Sequence, residues 1–110
     1  MERKLPTPSQ GMSWSVREIA DLGKLVRNQR ALISMRIDDA AALCGVSSDV
    51  LSRLENGKPV TLDKLLSILD GLGLRMVVLP TRQAVELEPA LERIQSSSSL
   101  TNATPGSTGG

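Results

Sequence analysis

The sequence predicts a mainly α fold, with four to five short helices in one small domain followed by one short C-terminal β-strand. Three observations predict it. Apolar residues recur at three- and four-residue spacing through the first two thirds of the chain. Capping residues and glycines punctuate that pattern. One later segment, RMVVL at Arg75–Leu79, is β-branched at its centre and closed by Pro80.

The first residues, 1–12, hold prolines and a glycine with little apolar content and read as a flexible arm. Ser13 or Ser15 is the expected cap of a first helix running to about Leu32. Its apolar positions are Val16, Ile19, Leu22, Leu25 and Val26. A second helix is expected over Ile37–Cys44, with Ala40, Ala41 and Leu43 as small packing residues. Asp38 and Asp39 favour its N-terminal end through the helix dipole.

The densest stretch is Cys44–Lys58, CGVSSDVLSRLENGK. Gly45 can take the positive φ that ends a helix. Ser47 is a good N-cap, and Val46 and Leu51 stand at the spacing of a hydrophobic staple. Leu51 and Leu54 then face inward, leaving Ser48, Asp49, Ser52 and Arg53 on the outer face. Asn56-Gly57 ends this third helix. A helix, a tight turn and a capped helix form the grammar of a helix-turn-helix.

Thr61 is the expected cap of a fourth helix over Leu62–Leu72, with Leu62, Leu65, Leu66, Leu69 and Leu72 as its apolar stripe and Gly71 and Gly73 at its end. The strand Arg75–Leu79 cannot satisfy its own backbone alone. With no other strand candidate in the chain, its expected partner is the same strand of a second copy, giving a two-fold homodimer. The alternative is an extended tail lying on the helices. Beyond Pro80 the signal fades. Val85–Gln95 reads as a weak helix inside a largely disordered tail, 81–110, that ends in SSSSLTNATPGSTGG.

Composition excludes several function classes. The chain has 110 residues, one Cys, one Trp and no His, Tyr or Phe. The core must therefore be aliphatic. Ser–His and Cys–His nucleophile pairs are impossible, and a lone Cys44 without histidine makes a metal site improbable on chemical grounds. No enzymatic role, cofactor or metal is expected. No apolar run approaches the roughly 18 residues of a membrane span, and a cytoplasmic location is expected, at the nucleoid when bound to DNA. Net charge is only +1, but residues 1–36 hold seven basic side chains against three acidic ones. Such a half can meet phosphate or can simply be a solvated face.

Residues 22–73 resemble the Xre-type helix-turn-helix of the Cro and phage-repressor superfamily. The resemblance rests on LVRNQR at Leu25–Arg30, AALCGV at Ala41–Val46, and Ser47 through Lys58 with its LENGK ending. It implies a lambda-repressor-like domain over 13–73, whose third helix enters the DNA major groove while the second lies across the backbone. It makes Ser48, Asp49, Ser52 and Arg53 base-facing, and it places Ser47 and Lys58 on phosphate. It makes Arg30 and Glu55 a structural salt bridge. Arg27 and Arg36 are further phosphate candidates. Here Arg36 and Ile37 stand where the family usually has a Thr cap and a phosphate-binding Gln, so anchoring by the second helix is altered. Asp49 either accepts from a cytosine amine or serves the helix dipole.

The fourth helix followed by LRMVVLP and a loose tail resembles HipB-type antitoxins. That implies strand pairing across a dimer by Arg75, Met76, Val77, Val78 and Leu79 in segment 74–80. It also implies a repressor of its own operon that binds an inverted-repeat operator on double-stranded DNA, and a HipA-type kinase toxin as partner. The alternatives are a kinase-binding interaction module with weak DNA binding, and a stand-alone regulator of the Xre family without a toxin.

Overall fold

The computed structural model describes residues 13–100, with side chains described for 13–94. Five helices form among the described residues: α1 (Ile19–Leu32), α2 (Ile37–Cys44), α3 (Ser48–Glu55), α4 (Leu62–Leu72) and α5 (Thr81–Leu100). The expected arm, 1–12, and the tail from 101 onward lie outside the described residues. The chain divides into two units between Val77 and Val78.

In the first unit, α1 packs on α3 and α4, and α2 packs on α3 and α4. The core is aliphatic, as the composition requires. Val26 of α1, Ala40, Ala41 and Cys44 of α2, Leu51 and Leu54 of α3, and Ile68, Leu69 and Leu72 of α4 are buried together. The stripe on α4 is shifted from the one the leucines suggest. Leu65, Ile68, Leu69 and Leu72 face the core, whereas Leu62 and Leu66 are exposed. Positions i, i+3, i+4 and i+7 define one helical face, and Ile68 completes that set where Leu62 and Leu66 do not.

Helix α1 starts later than the Ser13 or Ser15 caps predict. The Asp21 carboxylate accepts from the backbone N–H groups of Arg17 (2.9 Å) and Glu18 (3.2 Å), which fixes the start at Ile19. Ser13 is used one turn earlier, accepting from the Ser15 N–H. Thr61 stands at the N-cap of α4 but makes no side-chain cap bond. The nearby Thr61 hydroxyl and the N–H groups of the first turn hold the Asp63 carboxyl below its ordinary range.

Four helices end alike, in a Schellman motif. The N–H two residues past the last helical turn reaches back to close it: Met35 to Arg30 (3.1 Å), Val46 to Ala41 (3.0 Å), Lys58 to Arg53 (2.9 Å) and Leu74 to Leu69 (2.8 Å). The residue before each closing N–H lies in the left-handed region. Three of the four are glycines, and the fourth is Ser34, at φ 54°. A side chain there costs roughly 1–2 kcal/mol.

Gly71 does not end α4 as the sequence suggests. It lies inside the helix, where a Cβ would stand 2.7 Å from Cys44 Sγ and 2.8 Å from Cys44 Cα. The absent side chain therefore lets α4 approach α2. Gly23 plays the same part for α1, since a Cβ there would run into the Leu54 carbonyl oxygen of α3. Cys44 itself is buried, with its thiol 3.5 Å from the Ile68 carbonyl oxygen. Burial, and then the Asp70 carboxylate, push its pKa above the ordinary thiol value, so it packs as a neutral group.

The strand expected at Arg75–Leu79 does not form in the single chain; residues 74–80 carry no regular element. The physical reason is the lack of a partner. Helices α1 to α4 offer no open sheet edge, and a strand exists only as half of a ladder. The tail differs in the opposite direction. A helix spans Thr81–Leu100 rather than a weak Val85–Gln95 segment in a largely disordered stretch. Pro89 lies within it, although proline removes one ladder donor.

Two substitutions should act with opposite sign in denaturant titrations. Ser34→Gly relieves the left-handed strain and should raise unfolding free energy by up to about 1 kcal/mol, net of its larger backbone entropy. Gly71→Ala should lower it by about 1–3 kcal/mol by forcing α4 away from Cys44.

Candidate nucleic-acid interface

Helix α3 is short, and its placement depends on both ends and on one ion pair beneath it. At its start the Ser47 hydroxyl accepts from the Val50 N–H at 3.1 Å. Gly45, at φ 73°, ends α2 and leaves a three-residue turn, Gly45–Ser47, between the two helices. Underneath, the guanidinium of Arg30 grips the Glu55 carboxylate with two parallel bonds, Nε to Oε2 at 2.7 Å and Nη2 to Oε1 at 2.8 Å. Nη1 of Arg30 donates to the Met35 carbonyl at 3.0 Å. The two side chains are 8% and 6% exposed. One buried guanidinium thus joins α1, the end of α3 and the loop that leads into α2.

The outer face of α3 exposes Asp49 and Arg53, with Ser48 and Ser52 half-buried between them and the domain. Each of these except Asp49 is tethered. Ser48 Oγ donates to Asp38 Oδ1 of α2 at 2.8 Å. The Asn56 side-chain amide donates to the Ser52 carbonyl at 2.8 Å and lies 3.4 Å from Ser52 Oγ. Arg53 Nη2 donates to the Pro59 carbonyl at 3.1 Å, which leaves its other N–H groups to act outward.

The remaining candidate residues lie on other elements. Arg36 is exposed at the N-cap of α2 without making a side-chain cap bond, and Ile37 beside it packs on the core. Lys58 is exposed just past α3, and Arg27 is exposed on α1. Ser47 spends its hydroxyl as an acceptor in the cap. Arg75, Met76, Val77, Val78 and Leu79 are all exposed, Val78 most of all at 84%.

Sequence reasoning missed the tethers made by the side chains of Asp38, Asn56 and Gln29. Asn56 had a signal, because it lies four residues after Ser52 on the same side of a helix. Asp38 had none, being ten residues from Ser48 and brought to it only by the turn. Gln29 had none either; its Nε2 donates to the Leu72 carbonyl at 2.9 Å and closes the end of α4 from α1. Among the described residues no cluster of His, Cys, Asp and Glu could hold a metal ion, and no helix is long and apolar enough to cross a membrane.

A family model described as a helix-turn-helix domain matches residues 21–80, more than half of the chain. The chain belongs to the helix-turn-helix domain family. The match takes in all but the first two residues of α1 and the whole of α2, α3 and α4, and supports the Xre-type resemblance at that level. No curated protein matches the chain. The helix-turn-helix proper is α2, the Gly45 turn and α3, and its domain is that of a DNA-binding regulator.

Ser47→Ala should cost about 0.5–2 kcal/mol in chemical denaturation, the usual range for losing a cap. Ser47→Asp should retain most of that stability, because a carboxylate also accepts from the Val50 N–H.

Proposed function

We propose that the protein is a dimeric, sequence-specific transcriptional repressor that inserts α3 into the DNA major groove. The observation that carries this is the outer face of α3, a capped helix in a helix-turn-helix domain presenting Ser48, Asp49, Ser52 and Arg53. Arg53 is the strongest reader there, because a guanidinium can bond O6 and N7 of guanine together. Ser47, Lys58, Arg36 and Arg27 serve as phosphate contacts that position the domain and carry the salt dependence.

A single subunit has few such contacts, so the reading needs two copies. Arg75–Leu79 is the segment we assign to that role. It is exposed, apolar at its centre and without a regular element of its own. Pairing it antiparallel with its copy would satisfy both backbones and build a two-fold axis. A two-fold protein fits an inverted-repeat operator with half-sites about 34 Å apart or a multiple of that. Following the HipB-type resemblance, we assign the protein to an operon with a HipA-type kinase toxin, which it represses and whose product it binds.

A second reading is a kinase-binding module with weak DNA binding. It is favoured by the near-cancelling charge of Asp49 and Arg53 on the outer face of α3. Gel-shift titration of a fragment carrying the chain's own promoter separates the two. The repressor reading expects a tight complex that scrambling the inverted repeat abolishes. It also expects Arg53→Ala to weaken binding by about five- to 150-fold and Val78→Asp to convert the dimer to weakly binding monomers. Equal binding to scrambled DNA would sink it.

A further inference from the structure

The neighbours of Ser48 and Ser52 fix opposite hydrogen-bonding roles for the two serines on α3. Ser48 Oγ lies 2.8 Å from Asp38 Oδ1. An ionised carboxylate only accepts, so the proton in that bond is the serine's. Ser48 is left with lone pairs to offer outward. Ser52 is held the other way. Asn56 Nδ2 lies 2.8 Å from the Ser52 carbonyl oxygen, which also only accepts, so the nitrogen end of that amide faces Ser52. The same nitrogen is 3.4 Å from Ser52 Oγ, which therefore accepts and keeps its own proton free. Asp49, an acceptor, follows Ser48, and Arg53, a donor, follows Ser52. The first turn of α3 is thus an accepting surface and the second a donating one.

We infer that Asp38 is a positioning residue that sets base preference through Ser48, with Asn56 doing the converse through Ser52. This rests on the reading of α3 as the major-groove helix. Because its hydroxyl donates to Asp38, Ser48 reads bases that present an amine in the major groove, adenine through N6 or cytosine through N4. Because it accepts from Asn56, Ser52 reads bases that present an acceptor, guanine through O6 or N7, thymine through O4 or adenine through N7, and disfavours cytosine. Asp38 itself touches no base. It lies on α2, and its effect reaches the DNA only through the serine it holds.

The test is selection of bound duplexes from a library with randomised half-sites, using the full chain and its Ser48→Ala and Asp38→Asn variants. Both positions are outside the core, and melting curves confirm that each variant is folded. Ser48→Ala identifies the base step that Ser48 reads. The wild-type protein should prefer adenine or cytosine over guanine or thymine at that step by about tenfold. Asp38→Asn should relax the preference at the same step to nearly none, because an amide can turn either end toward the serine. Every other step should keep its preference, and the lost negative charge should change overall affinity by one common factor. A uniform affinity change with an unaltered preference at that step would overturn the inference while leaving the α3 reading intact. A wild-type protein that enriches no sequence would overturn both.

Discussion

The bidentate pair between Arg30 and Glu55 is the interaction on which the rest of the domain depends. It lies at the junction of α1, α3 and the loop before α2, and the third arm of the guanidinium satisfies the Met35 carbonyl. Both charges are nearly out of water. A buried ion pair of this kind need not add net stability over apolar residues of equal size, but losing one partner strands the other. Its value is geometric. A short helix such as α3 has little stability of its own. Clamping its C-terminal end to α1, with Ser47 capping its N-terminal end, fixes both ends of the element that carries the outward-facing side chains.

The backbone around that clamp is built for close approach. Gly23 lets α1 reach the carbonyls at the end of α3, and Gly71 lets α4 reach Cys44 of α2. With scarcely any aromatic residue in the chain, the core cannot rely on large side chains to fill space, and helices brought near one another make small aliphatic residues sufficient. The repeated Schellman endings serve the same economy. Each turns the chain within two residues, and the short connections keep consecutive helices in contact. The same arrangement also brings Asp38 to Ser48, and so couples the packing of α2 on α3 to what the outer face can bond.

Much of this was legible in the sequence, and for local reasons. The ends of α2 and the whole of α3 follow from Gly45, Ser47, Leu51, Leu54 and Asn56-Gly57, because caps, staples and turns act within a few residues. The start of α1 was misread because Asp21, rather than either early serine, takes up the free N–H groups. The end of α1 at Leu32 was legible from its apolar spacing, but the left-handed Ser34 that closes it was not, since that conformation is more often held by glycine. Gly71 read as a helix stop because its reason, the proximity of Cys44, is twenty-seven residues away. The tethers from Asp38 to Ser48 and from Gln29 to Leu72 were likewise invisible, as they exist only once helices distant in sequence are packed. The strand at Arg75–Leu79 marks a different boundary: one chain can state a need for a backbone partner but cannot meet it.

A double-mutant cycle on Arg30 and Glu55, read by denaturant unfolding, tests the central claim most directly. With Arg30→Met and Glu55→Leu, each single variant should lose about 3–5 kcal/mol, because each leaves a buried charge unpaired. The double variant should lose far less than the sum, giving a large coupling energy between the two positions. Single losses under about 1 kcal/mol that simply add in the double variant are what an exposed, dispensable pair would give. That result would contradict the account of how α3 is held.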